Sequence, residues 1–585
     1  MSHKYIFEMI EIDLPFCSRT WGNSPCTASL SSKTKNKCWN LRAGCGDVPN
    51  FAEGTPLTLR FCKDGPIPKG LVAFPVLSSV KASSPTVNIA GSDPDMSSLG
   101  KLASLSFTLG DFTYHERGID PYLADRISGA AQFSGIGYTP ADQGTFLNKL
   151  KDRWPNYAGA NVRRILGYIV DGVLTDAQTQ HFFIKEIDGP NNGAVSVKAY
   201  GVLDLANKKT ALCPKPTSGV IDRDMTATST TFTLTPAGVG NAQYAASGWV
   251  CISSEIMRFA RVGNVFTVAR GQRRTAASSH SAGDTVQQVY TARRARIDTV
   301  LHDLVQNYTD TPTTYLDAAQ RLQNSDEVGR WGASILLETD IVTPTAVATL
   351  LSELSDLGCS IWEDEFSQKI KIRMNRPVDT DIVRAVSDRT AKDIRQKDND
   401  QDRLTQILFM SKRSDPTKPL SDDTNFDVKM LTVDPDAMDL HNGKISSRTI
   451  RTRWLDQGDD ATVAIASLRL LDRFKRAPKT VSITLDAKEK GVRLADVIEV
   501  NSDELADSTG LPSSKLLQVT SREEPIAYHD IKVLCQAFSF DGRYWYIAPN
   551  DAPTYNLATD EQKATYAFIS PDADGFTDDI AYQVI

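Results

Sequence analysis

EIDLPFCSRTWGNSPCTASLSSKTKNKCWNLRAGCGDVPNFAEGTPLTLRFC, residues 11–62, holds five of the chain's nine cysteines: Cys17, Cys26, Cys38, Cys45 and Cys62. The other four, Cys213, Cys251, Cys359 and Cys535, are scattered over the remaining length. The five stand among Gly, Pro, Asn and Ser, with few apolar residues to build a private core. So small a unit usually needs a staple, either a metal or disulfides. The spacing C-x8-C-x11-C-x6-C-x16-C is too wide for zinc-ribbon knuckles and misses the tight cysteine run of bacterial ferredoxins. Four thiolates brought together bind zinc or an iron–sulfur cluster, and spacing alone leaves the metal open. Two plainer readings compete: small buried apolar side chains, or disulfides. Clustering in a loop-rich segment speaks against the first. The odd count, and a start suited to the reducing cytoplasm, speak against the second.

That start, MSHKYIFEMIEIDLPFC, has no basic residues leading into an apolar run, so a signal peptide is not expected. No stretch approaches the ~18 apolar residues that cross a bilayer as a helix, so a membrane protein is not expected either. At 585 residues the chain is long enough for about four domains. Hydrophobic residues make up 41% and charged residues 23%, as in ordinary globular proteins. A net charge of -7 argues against a dedicated nucleic-acid binder.

Outward from the cysteines the pattern is mainly β with α+β. Residues 1–75 read as a Cys-rich unit, and 76–213 with 291–330 as a first β domain. In the latter, Leu105, Phe107 and Leu109 alternate with Ser104, Ser106 and Thr108 at the period of a half-buried strand. His181–Asp188 and Ala194–Tyr200 flank Pro190-Asn191-Asn192-Gly193 and predict a hairpin. Residues 214–290 read as an inserted β sandwich or barrel of short strands with glycine turns. Ile297, Val300, Leu301, Leu304 and Tyr308 fall at helical spacing. Residues 331–380 predict a small α+β domain. Its helix would be capped by Thr343, carry Pro344 in the first turn and end at Gly358, with a hairpin of 360–363 and 369–374 behind it. The mixed-charge run 392–403 predicts a solvated connector. Residues 381–550 read as a second β domain with a helix near 461–476, and 551–585 as an acidic tail that orders on a partner.

Enzyme signatures are absent from the sequence. His3, His115, His181, His280, His302, His441 and His529 are scattered, with no paired metal-binding spacing, and no phosphate-binding glycine loop or nucleophile elbow occurs. Arg270-Gly271-Gln272-Arg273-Arg274 is a short basic patch, read as a solvated loop rather than a DNA contact. Tyr544-Trp545-Tyr546 is read as core rather than as a sugar platform. The expectation is a chain that is not an enzyme.

The segments EIDLPFC, SPCTASL, KCWNLRAGC, GDVPNF and GTPLTLRFC resemble the iron–sulfur segment of tail-tip proteins from long-tailed bacteriophages and related gene transfer agents. RLLDRFKRAPKTVSITLDAKEKGVRLADVIEV resembles the second β-barrel of baseplate hub proteins, and GNVFTVARGQRRTAASSHSAGDTV resembles their inserted β domains. The resemblance implies a 4Fe-4S cluster, with zinc as the alternative, on Cys17, Cys26, Cys38 and Cys45, Cys62 being a possible alternative ligand. It implies a virion protein at the tail tip, assembled in the host cytoplasm as a homotrimeric ring that closes the tail tube and opens for genome ejection. Its partners would be the distal tail protein, the tape-measure protein and tail fibres or receptor-binding proteins. It would meet the host cell surface only indirectly, while phage DNA passes through. A carbohydrate-binding tail adhesin and an iron–sulfur redox protein are the readings from other classes.

Overall fold

The computed structural model describes residues 4–21, 23–28, 38–89, 97–114, 145–332, 336–374, 382–398, 400–457, 460–475, 478–506, 509–524 and 529–537, with short isolated stretches beyond. It is mainly β, with several sheets and a few helices between them. His3, His115, Trp545 and most of the acidic tail lie outside the described residues.

Seven strands make the first sheet: β1 (Lys4–Leu14), β2 (Leu57–Cys62), β3 (Leu77–Ser83), β4 (Ser104–Gly110), β5 (Asn161–Val170), β6 (Val173–Asn191) and β7 (Ala194–Tyr200). Their order is β2-β1-β5-β6-β7-β4-β3, antiparallel throughout. The segment entering β3 bonds β2 at Phe74 (Phe74 N–H to Arg60 O, 2.8 Å), and β3 itself pairs with β4, so the sheet curls towards a barrel. Alternation fills its inside. Ile10, Ile12, Leu105, Phe107, Leu109, Val195 and Val197 share one core, plugged by Phe146 and Leu147 of the helix Phe146–Arg153. The expected hairpin forms between β6 and β7. Asn192 (φ 49°) and Gly193 (φ 76°) supply the two left-handed residues of a two-residue turn.

The boundary expected at residue 75 falls inside this sheet: β1 and β2 are two of its strands, so residues 1–75 are not a separate unit. Phe7, Met9, Ile10 and Ile12 bury both faces of β1, which a private Cys-rich domain would not need.

Residues 220–288 form their own six-stranded sheet, and Val220 pairs with Thr285 across its ends, so the sheet closes on itself. Phe232, Phe259 and Phe266 stack in its core. A second six-stranded sheet is built from Ile382–Ser387, Ala391–Asp398, Lys479–Leu485, Val497–Asn501, Lys515–Glu523 and Ile531–Ala537. It corrects the expected connector at 392–403, because Ala391–Asp398 pairs with Lys479–Leu485 as an edge strand. Edge strands carry charge on their solvent side, and this one's sequence looks like a loop for that reason.

The largest core joins segments expected to be separate. The helices Ile297–Tyr308, Val347–Ser355 and Asp460–Phe474 pack there with the hairpin Cys359–Asp364/Lys369–Met374 and the strand Gln406–Arg413. Residues 331–380 are therefore not an independent domain. Thr343 and Pro344 do not open their helix either. Thr345 and Ala346 pair with Cys213 and Leu212 in extended form, and the helix begins at Val347.

Two buried polar groups tie this core together. Glu363 accepts N–H bonds from Ala103 (2.8 Å) and Leu203 (2.7 Å), linking the 359–374 hairpin to the first barrel. Burial pushes its carboxyl up to about 8. Gly201 is required beside it, because a Cβ there would lie 1.9 Å from the carboxylate oxygen. His302 accepts from Asn324 Nδ2 (3.1 Å). Burial pushes His302 down to about 4, against an opposing pull from Asp298.

Glu363→Gln is expected to destabilise the protein by about 1–3 kcal/mol, since an amide NH2 would then face a backbone N–H. Chemical denaturation measures it, and an unchanged midpoint would refute the linkage. His302 binds its proton more weakly when folded. The unfolded chain therefore protonates first, and stability falls as the pH drops from about 6.5 towards 4, by up to about 3 kcal/mol. The stability gap between wild type and His302→Gln should shrink over that window in thermal melts.

Candidate metal centre

The cysteine segment is the connection between β1 and β2, and pairing of those strands brings its two ends together (Leu14 with Leu57). A ladder of charges holds them in register. Arg163 on β5 grips Asp13 with two bonds (2.6 and 2.8 Å) and Glu11 with a third (2.8 Å), and Arg60 on β2 reaches Glu11 from the other side (2.8 Å). Beyond β1 the chain pairs with 52–54: Ser18 N–H donates to Ala52 O and Gly54 N–H to Phe16 O, both 2.8 Å. Gly54 permits this approach, since a Cβ there would stand 2.7 Å from that of Ser18.

Cys17, Cys26, Cys38 and Cys45 all line one cavity of about 20 Å³. Each is partly exposed. Trp21, Leu41 and Phe51 supply apolar walls, and Arg19 is the cation at the site. Cys45 follows a single helical turn, Arg42–Gly44, and its sulfur accepts a bond from Asp47 N–H (3.4 Å). The Asp47 carboxylate receives Thr27 N–H (2.7 Å), Thr27 O–H (3.0 Å) and Asn50 Nδ2 (3.0 and 3.1 Å). Donation from the Thr27 backbone, then from Asn50, holds its carboxyl below the ordinary range. Arg153, at the end of the barrel's plug helix, stacks 3.4 Å over Trp39 and so fixes the stretch after Cys38 to the barrel.

The donor set and enclosure fit a thiolate-bound metal. Among the described residues, no three His, Cys, Asp or Glu side chains are arranged to hold an ion as they stand, so the thiols share a cavity without yet converging on a point. A space of about 20 Å³ takes one water-sized body.

Cys62 is elsewhere. It is fully buried with Phe7, Met9 and Ile169, and burial raises its thiol pKa. It is therefore not placed as the alternative ligand. Cys213, Cys251, Cys359 and Cys535 are buried singly, with thiols likewise raised, Cys251 to about 12. The basic patch turns inward. Arg270 is bound to buried Glu255 (2.8 Å), Arg273 stacks 4.1 Å over Trp249, and Arg274 pairs with Asp456 (3.3 Å). It fastens the inserted barrel to the shared core rather than lying free for DNA. His280 is buried against Glu255 (2.9 Å), and burial pushes His181 down to about 4. Asn40 and Asp47, which hydrogen-bond the loops around the thiols, do not stand out in the sequence. Asn and Asp are common turn residues, and nothing in their spacing sets these two apart.

No known protein family matches the sequence, and no curated protein matches it. Solved structures that align with this chain include three phage or prophage tail proteins. The tail protein from Neisseria meningitidis MC58 aligns at 10% identity over 74% of this chain and 88% of that one, with a TM-score of 0.33. The prophage MuSo2 43 kDa tail protein from Shewanella oneidensis aligns at 8% identity over 80% and 97%, with a TM-score of 0.31. The prophage tail protein gp18 from Listeria monocytogenes EGD-e aligns at 9% identity over 66% and 86%, with a TM-score of 0.29. TM-scores of this size do not establish a common fold.

If the four cavity thiols are the ligands, Cys62→Ser should leave bound metal per chain unchanged, whereas serine at Cys17, Cys26, Cys38 or Cys45 should lower it. Elemental analysis of the purified variants decides this, and loss on Cys62→Ser alone would refute the assignment.

Proposed function

We propose that the chain is a structural component of a bacteriophage tail, the hub of the tip baseplate, and that its N-terminal loop carries a thiolate-bound metal group. That Cys17, Cys26, Cys38 and Cys45 line one cavity in the loop between β1 and β2 carries this reading. These are the positions that the tail-tip resemblance picks out, and the fifth cysteine falls away from them.

The group is a 4Fe-4S cluster on this reading. Zinc on the same four thiols is the alternative. When bound, either group would crosslink four points of a loop that has little core of its own, which is the chemistry of a structural staple. The chain's own residues do the rest. Strand pairing brings the loop ends together, Arg153 pins Trp39, and the apolar walls limit water around the sulfurs.

The wider role is mechanical. Copies of the chain would form a homotrimeric ring at the tail tip, joining the distal tail protein, tape-measure protein and tail fibres, and opening for DNA to leave. Cyclic assemblies of this kind depend on large interfaces between copies.

Protein purified without oxygen should be brown, with iron and acid-labile sulfide in about equal amounts. Zinc in their place would keep the staple and remove the cluster. Failure to load either metal, even after anaerobic reconstitution, would refute the metal reading. Sedimentation of the full chain tests the ring, and a monomer at high concentration would count against it.

A further inference from the structure

We propose that Asn40 and Asp47 are positioning residues that assemble the four thiols as two pairs, Cys17 with Cys38 and Cys26 with Cys45, before a metal arrives. This rests on the reading of those thiols as ligands.

The four cysteines are far apart along a largely polar loop, and bringing them together costs loop-closure entropy beyond what the β1–β2 pairing covers. Two side chains bridge the gaps. Asn40 takes a left-handed backbone (φ 56°), which asparagine tolerates. Its carbonyl accepts Cys17 N–H (2.9 Å), its Nδ2 donates to Cys17 O (3.4 Å), and its Oδ1 accepts from the Cys38 thiol (3.5 Å). Cys17 and Cys38 are thus tied to one residue.

Asp47 does the same for the other pair. Its carboxylate takes both the N–H and the O–H of Thr27, the residue after Cys26, while its own N–H points at Cys45 Sγ. Asn50 holds the carboxylate from the far side. The loops meet closely here, since a Cβ on Gly46 would lie 3.5 Å from that of Ala28. Three donor groups make four contacts with the Asp47 carboxylate, and an acceptor-only side chain satisfies them all. Once Cys45 is a thiolate, the bond from Asp47 N–H becomes charge-assisted and favours the bound form. Partners of this kind orient ligands and set affinity without touching the metal.

The test is a Co(II) titration of the full chain in metal-free form without oxygen, read from the sulfur-to-cobalt absorption, alongside the rate at which Ellman's reagent labels the thiols. Asp47→Ala and Asn40→Ala should each weaken cobalt binding roughly 10–100-fold. Asp47→Ala should also speed labelling of Cys26 and Cys45 above that of Cys17 and Cys38, as mapped by mass spectrometry. Thr27→Val, which loses only the hydroxyl bond, and Asp47→Asn should fall in between. Far-UV circular dichroism and the melting midpoint confirm that the barrels remain folded. Wild-type affinity and labelling in Asp47→Ala would overturn the proposal while leaving the metal reading intact. A wild-type chain that takes up no cobalt would instead overturn the metal reading, and this proposal with it.

Discussion

The pairing of β1 with both β2 and β5 is the constraint on which the N-terminal half depends. β1 is buried on both faces, and its register is fixed by Glu11 and Asp13 meeting Arg60 and Arg163. A slip of one residue would turn Ile10 and Ile12 out of the barrel and break these ion pairs together. Because the cysteine segment leaves from β1 and returns into β2, the same pairing closes the loop that carries the thiols. The thiol-lined cavity is thus an elaboration of the barrel's wall.

Polar contacts between buried or half-buried groups join the remaining modules beside the shared apolar core. Glu363 reaches from the 359–374 hairpin to backbone groups of the first barrel, and Gly201 leaves room for it. Phe366, just beyond, lies under Arg493 (4.0 Å) and near Arg522 (5.4 Å) of the second six-stranded sheet. One hairpin therefore touches both large sheets. On the other side Arg273 and Arg274, both in left-handed conformation, fasten the inserted barrel to Asp340 and Asp456. For the buried ion pairs among these contacts, losing one partner would leave a buried charge uncompensated.

Much of this was legible in the sequence. The alternation of Leu105, Phe107 and Leu109, the turn at Asn192-Gly193, the inserted β unit at 214–290 and the helix beginning at Ile297 depend on local periodicity or turn chemistry, which neighbouring residues set. The cysteine cluster was legible too, because thiols crowded into a polar loop have few uses. The edge strand Ala391–Asp398 was not, as its charges satisfy water and resemble a linker. Nor was the sharing of one core by 297–308, 347–355 and 460–474, whose apolar stripes look alike whichever partner they meet.

By itself, then, the sequence determined the strand and helix periods, the turns and the presence of a thiol-rich loop, all consequences of residues close in the chain. Only the tertiary structure decided that Cys62 belongs to an apolar cluster while the other four thiols share a cavity, and that Asn40 and Asp47 hydrogen-bond the loops around them. It alone decided that the basic patch is an internal fastening. Each of these depends on which surfaces meet across long separations, and burial and pairing energies settle that only once the chain has folded.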